Sequence, residues 1–263
     1  MNTTASSVEI LSKITEDDFP ELWYEIGNDN HFWFDWRFRA FINQLTDLNV
    51  SLTKPHYCFE IGCGHGVVRR QIESSTSWFT DGADINLEAL KMNNITRGRT
   101  MAYDIFDKKP SMKQFYDSIM LFDVIEHIKD PVDFIKTALF YLKPNGFVFI
   151  NVPALNLLRT RYDDVVGHHR RYDKSMMQEV FNQCGLETLD LRYWGFSATL
   201  LVLLRKLVTP RNLTNDEVVR RGFRPPSQFI NQIMRKVAQF ETRFVRQPPF
   251  GTSLIAVARY VQK

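Results

Sequence analysis

Phe59-Glu60-Ile61-Gly62-Cys63-Gly64-His65-Gly66 is the stretch on which the reading of this chain turns. An apolar run from Tyr57 to Ile61 leads into it, and a helical pattern from Val67 to Ser74 follows, so it reads as a strand, a tight loop and a helix start. Glycine at alternate positions lets the backbone turn sharply and approach a ligand that a Cβ would repel. The helix N-terminus beyond the loop favours polar or anionic groups.

Working outward, short apolar runs alternate with helical stretches. The expected strands are Tyr57 to Ile61, Trp78 to Ile85, Arg99 to Ile105, Tyr116 to Val124 and Gly146 to Val152. Helices are expected at Val67 to Ser74, Leu87 to Asn94 and Pro131 to Leu142, the last closed by Lys143-Pro144-Asn145-Gly146. That cadence predicts a doubly wound α/β sheet. It breaks at an insertion, Ala154 to Asp173, then resumes with a helix at Lys174 to Cys184 capped by Gly185, and a strand at Leu186 to Trp194. A last strand, Ser253 to Val261, follows a long helical stretch that is too extended for an ordinary connection. The expected organisation is an N-terminal helical cover over 1–48, rich in aromatics from Trp23 and Tyr24 to Phe41, with the polar residues 1 to 20 loosely packed. A cofactor-binding domain over 49–195 and 252–263 follows, interrupted by a basic helical subdomain or lid at 196–251.

The glycine spacing departs from the Gly-x-Gly-x-x-Gly of nicotinamide-binding folds, because the third glycine arrives one residue early and Val67 stands where theirs would be. With its preceding acid, the segment instead resembles the first motif of class I S-adenosylmethionine-dependent methyltransferases. The resemblance implies a Rossmann-like sheet of seven strands, the last inserted antiparallel, with helices on both faces and here a helical insertion before the last strand. It implies S-adenosyl-L-methionine as cofactor, with Gly62, Cys63 and Gly64 beneath its methionine portion and Glu60 fixing the loop and the amino group.

Three further strand ends match in order. Asp84, with Ile85, stands where the family's carboxylate accepts from both ribose hydroxyls, a task suited to a group with two acceptor oxygens. Helix capping is the other role open to Asp84, although Asn86 is better placed for it. Asp104 and Ile105 match the adenine-reading position, with a solvated loop carboxylate as the alternative; Asp107 lies too far along the chain. Phe122 and Asp123 open the string Asp123-Val124-Ile125-Glu126-His127-Ile128, similar to that of quinone-type O-methyltransferases; they would flank the adenine or sulfonium and frame the loop. His127 is the candidate base, since methylating a hydroxyl requires loss of its proton and imidazole titrates near neutrality. Capping or packing of the next helix is its other reading.

Upstream, His31-Phe32-Trp33-Phe34-Asp35-Trp36-Arg37 resembles a segment of the same branch, implying that Arg37 pairs with the cofactor carboxylate; Arg39 is the competing choice. Gly167-His168-His169-Arg170-Arg171-Tyr172 is also similar to a string in that branch. His168, His169, Arg170, Arg171 and Tyr172 are thus candidates for acceptor binding, the alternative being a solvated loop held by ion pairs from Asp163 and Asp164.

Composition agrees with a globular enzyme, with 44% hydrophobic and 24% charged residues among 263. Cys58, Cys63 and Cys184 lack paired or metal-ligand spacing, so reduced thiols and no metal are expected. The N-terminal residues show no basic stretch leading into an apolar run, and no apolar segment reaches spanning length, which suggests a cytoplasmic protein. Net charge is +3, too small to point to nucleic acid. The segment from Arg205 to Arg246, however, carries ten basic and three acidic residues, and together with Leu200 to Leu207 it could meet a membrane surface over 196–246. The expected activity is methyl transfer to a small or carrier-linked polar acceptor, at oxygen by preference. An N-methyltransferase and a non-catalytic S-adenosylmethionine-binding protein are the alternatives.

Overall fold

The computed structural model describes residues 8–14, 31–93, 97–208, 212–223 and 226–261. Trp23, Tyr24, Arg211 and Arg224, which figure in the sequence reading, lie outside the described residues.

The first half contains β1 (Glu9–Ile10), α1 (Phe32–Asp47), β2 (His56–Ile61), α2 (Val67–Ser75), β3 (Trp78–Asp84), α3 (Leu87–Lys91), β4 (Thr100–Ala102) and β5 (Tyr116–Phe122). It continues with α4 (Pro131–Ala138), β6 (Leu142–Pro153), α5 (Arg161–Val165), α6 (Lys174–Cys184) and β7 (Leu186–Trp194). Three helices, α7 (Phe196–Val208), α8 (Asn215–Phe223) and α9 (Gln228–Phe244), precede β8 (Ser253–Tyr260).

The strands form one sheet in the order β1-β4-β3-β2-β5-β6-β8-β7, parallel except for β8, which runs antiparallel to both neighbours. The expected seven strands are therefore eight. The addition is β1, whose Glu9 and Ile10 pair with Met101 and Ala102. Two residues at an edge have no periodicity to read, and for the described residues 8–14 this corrects the expectation of loose packing across 1 to 20.

Alternation along the strands sends neighbouring side chains to opposite faces. Phe59, Ile61, Ile119 and Leu121 meet α4 and α6 through Ile135, Met177 and Phe181. Cys58, Met120 and Phe122 meet α1, α2 and α9 through Trp36, Phe41, Ile72 and Ala238. The crossover helix expected to run to Leu142 leaves the α conformation after Ala138, with a 3-10 turn at Leu139–Tyr141. The turn read at Lys143 to Gly146 is a bulge inside β6: Tyr116 pairs with Leu142, but Ser118 pairs with Phe147. The strand expected at Arg99 to Ile105 stops at Ala102, because the Asp104 carboxylate accepts from the Phe106 amide (3.0 Å) and starts a 3-10 turn.

The α7–α9 segment is anchored from both ends. The Phe32 amide donates to Asn231 Oδ1 (2.9 Å) and Asn43 Nδ2 donates to the Thr242 carbonyl (2.7 Å), tying α9 to α1. Buried Glu241 of α9 accepts from the amides of Gly195, Phe196 and Ser197 at 2.9, 3.0 and 2.7 Å, so one helix caps another. A Cβ on Gly222 of α8 would come within 2.0 Å of the Tyr162 ring, so that helix sits directly on α5. Among the described residues, no helix is long and apolar enough to cross a membrane.

Candidate active site

The carboxyl ends of β2, β3 and β5 open into a crevice of about 1660 Å³, roofed by residues of α5, α7, α8 and α9. That is larger than the roughly 300–1,000 Å³ of a single small-molecule site, and leaves space for two ligands side by side.

The loop after β2 forms the floor. Gly62, Gly64 and Gly66 all have positive φ, at 76°, 50° and 79°. A Cβ on Gly66 would fall 2.3 Å from Asn93 Oδ1, so both conformation and space require glycine there. The loop is locked to β3: the Gly62 and Cys63 amides donate to the Ala83 carbonyl, and the Gly64 amide donates to Asp84 Oδ2 at 2.7 Å. Asp84 Oδ1 accepts from the Asn86 amide (2.8 Å), while Asn86 itself caps α3. Asp84 therefore shapes the loop, and Ile85 beside it is exposed to the crevice.

Two buried groups on the crevice wall each keep one polar atom without a partner. Glu60 is 2% exposed and its Oε2 accepts no hydrogen bond. Burial pushes its carboxyl up to about 8, partly offset by Arg69 and Arg37. Arg37 is 4% exposed, pairs with Asp123, lies over the rings of Phe34 (5.2 Å) and Phe122 (5.5 Å), and has an unmatched Nε. An unsatisfied acceptor and an unsatisfied donor on one wall suit the ammonium and carboxylate of an amino-acid moiety. Arg39 is instead paired with Asp35 on the surface.

Asp123 turns the chain after β5 with φ 58°, in the left-handed region. A relay holds it there: Trp194 Nε1 donates to Asn151 Oδ1 (2.9 Å), and Asn151 Nδ2 donates to Asp123 Oδ1 (2.6 Å). Asn151, fully buried on β6, escapes sequence reading because nothing in its local motif marks it.

Of the proposed cofactor residues, Arg37, Glu60, Gly62, Cys63, Gly64, Asp84, Ile85, Phe122 and Asp123 line the crevice. Asp104 and Ile105 are not brought to it: Asp104 caps the turn described above and Ile105 is buried in the core.

The acceptor side is built by the loop after β5 and the segment after β6. His127, His168, His169 and Arg171 line it. Arg170 instead donates to the Lys129 carbonyl (2.8 Å), and buried Tyr172 donates to the Ile125 carbonyl (3.1 Å), so these two brace the loop. The Asp163 carboxylate, fully buried, accepts from the Thr160 amide, from Arg171 Nε (2.7 Å) and from His168 Nδ1 (2.8 Å). Burial would raise its pKa, but the hydrogen bonds from His168 and Arg171 prevail and hold it well below the usual carboxylate range. Asp163 is thus the buried post of the loop, while Asp164 pairs with Arg159 nearer the surface. Burial, with His168 and His169 beside it, lowers His127 to about 3, so it is a neutral imidazole at physiological pH.

A family model described as a methyltransferase domain matches residues 33–191, from α1 into β7. This chain belongs to the class I S-adenosylmethionine-dependent methyltransferases. The ubiquinone biosynthesis O-methyltransferase of Vibrio vulnificus is 26% identical to it over 104 residues, covering 37% of this chain and 44% of the relative; the match thus spans less than half of that relative's length. Among solved structures, a SAM-dependent methyltransferase from Archaeoglobus fulgidus has TM-score 0.51 at 15% identity, covering 87% of this chain and 98% of the other. Phosphoethanolamine N-methyltransferase 2 of Haemonchus contortus, in complex with S-adenosyl-L-methionine, has TM-score 0.51 at 16% identity, covering 83% of this methyltransferase and 52% of the other chain. At such identities the structural likeness concerns the fold alone. The cofactor of this methyltransferase is S-adenosylmethionine, and the unmatched pair at Glu60 and Arg37 fits its amino-acid end.

Proposed function

We propose that the protein transfers the methyl group of S-adenosylmethionine to a hydroxyl oxygen of a polar acceptor, small or borne on a carrier. The observation that carries this reading is the histidine and arginine wall of His127, His168 and Arg171, facing the same crevice as the glycine loop. Bound there, the cofactor would supply a methyl group activated on a sulfonium, with sulfur as the leaving group, for a hydroxyl that gives up its proton. The chain's part is alignment, exclusion of water and removal of that proton. Asp163 fixes the ring of His168 by taking its Nδ1–H, which leaves Nε2 to accept a proton. Of the two histidines, His168 is the better held base, and His127, lowered by burial, is the weaker acceptor.

The roof supports a carrier-linked acceptor. Leu200, Leu204, Phe229, Phe240 and Phe244 are exposed on α7 and α9, among Arg205, Lys206, Lys236 and Arg243. Apolar side chains among cations suit an anionic bilayer surface, from which a lipid-borne acceptor could enter beneath the roof.

A product-mass screen with the full chain, S-adenosylmethionine and a panel of quinols, sugars, amines and lipid-linked intermediates tests the reading. An added methyl on oxygen is expected, and His168→Ala should lower kcat by about 100-fold or more with little change in cofactor affinity. Methylation at nitrogen alone would replace the oxygen assignment with the N-methyltransferase reading. Cofactor binding with no transfer to any member would favour a binding protein of the same fold.

A further inference from the structure

We propose that Glu126, His127 and His168 form a binding site for a divalent transition-metal cation of the zinc class, open on one side to the acceptor half of the crevice. A carboxylate oxygen of Glu126 and one ring nitrogen from each histidine lie within 4.8 Å of one another. No cysteine or spacing pattern marks this cluster in the sequence, because His168 arrives from a different loop some forty residues along the chain.

Glu126 is the decisive member. It is fully buried, and neither carboxylate oxygen has a hydrogen-bond partner. A carboxylate in that position is costly unless a cation meets it. Arg171, the guanidinium whose charge reaches it, is already engaged by Asp163.

The two histidines present the electron pairs that a metal needs. The Asp163 carboxylate takes His168 Nδ1–H, so Nε2, 4.0 Å from Glu126 Oε1, bears the lone pair. A buried carboxylate behind a ligand imidazole is the usual outer support of a metal-bound histidine. The His127 ring meets that of His168 at 4.7 Å, and the carbonyls of Val166 and Gly167 accept from it, fixing its orientation. The cluster therefore gathers three electron-pair donors at one point. Zinc bonds of about 2.0–2.2 Å place ligand atoms roughly 3–3.5 Å apart, so closure by about 1–2 Å would complete the site.

Two imidazoles and one carboxylate form a catalytic zinc set in which the fourth position is open, and all three residues line the crevice. Imidazole ligands favour zinc and its neighbours over magnesium. With the cation bound, His168 Nε2 would be a ligand and no longer the proton acceptor, and the cation would instead make an acceptor hydroxyl in the open position lose its proton more readily; the binding site stands whether or not the acceptor is a hydroxyl.

The test uses the full chain, stripped with a chelator and titrated with zinc sulfate alone by calorimetry at neutral pH, without cofactor or acceptor. Binding of one equivalent is expected. Glu126→Gln and His168→Ala should each weaken binding by about 100-fold or more, and Asp163→Asn, which removes only the outer support, by about 10–100-fold. Magnesium chloride should give no comparable heat. Absence of stoichiometric zinc binding, or binding unchanged in both ligand variants, would overturn the proposal. Should Glu126→Gln fail to fold, cobalt(II) added to the wild-type chain decides: an intense visible band of low-coordinate cobalt supports the site, and the weak spectrum of the hydrated ion sinks it.

Discussion

Replacing Glu60 with glutamine tests whether the crevice is poised for a cationic group. Glu60 is buried, and its carboxyl is raised from 4.5 to about 8. Each unit of such a shift corresponds to about 1.4 kcal/mol, so ionising Glu60 in the folded chain costs on the order of 3–5 kcal/mol. The sign follows from proton counting. Below the unfolded value both states hold the proton and there is no penalty. Between 4.5 and about 8 the unfolded chain releases its proton while the folded chain keeps it, so stability falls as pH rises, and above about 8 the full cost is present. Glu60→Gln keeps the size and removes the titration. Urea unfolding without cofactor at pH 5, 7 and 9 should therefore show the variant near wild type at pH 5 and progressively more stable at higher pH. Calorimetry should show the opposite for function, with S-adenosylmethionine bound roughly 10–100-fold more weakly once the acceptor of its ammonium is neutral. A stability difference that does not vary with pH, or unaltered cofactor affinity, would refute the reasoning.

Asp84→Ala removes the acceptor of the Gly64 and Asn86 amides, and at about 1.5–3 kcal/mol for a charge-assisted bond it should weaken cofactor binding by 10-fold or more; unchanged affinity by calorimetry would count against the loop assignment. Glu241→Gln leaves one acceptor for the three amides at the start of α7, costing roughly 1–3 kcal/mol; amide hydrogen exchange should quicken over 196–208 while the central strands keep their protection. Sedimentation with vesicles containing anionic phospholipid should bring the chain down, and Phe229→Ser with Phe240→Ser, exposed by 72% and 64%, should release it; equal recovery with uncharged vesicles would remove the charge argument.

The fold and half of the site were legible in the sequence because each rests on local geometry. Glycine spacing dictates the turn after β2, and period-two alternation dictates the two faces of the sheet. Glu60, Asp84 and Asp123 could be placed at the crevice because a strand end in a doubly wound sheet has a fixed position relative to it. Asp104 shows the limit: it stands at the expected place in sequence, but its side chain accepts from a neighbouring amide and it is not among the residues lining the crevice. Strand β1 was invisible because two residues carry no period.

Sequence by itself determined the alternation of strands and helices from β2 to β7, the glycine floor and the family, since these follow from contacts between residues near one another in the chain. Only the tertiary structure decided which polar groups meet across long intervals: Arg37 with Asp123, Trp194 through Asn151 to the same aspartate, Glu241 with the start of α7, and Glu126 with His168. Those meetings depend on how crossovers and the α7–α9 segment pack. Whether a buried carboxylate finds a guanidinium, an amide or no partner is decided by packing and burial, which no local motif records.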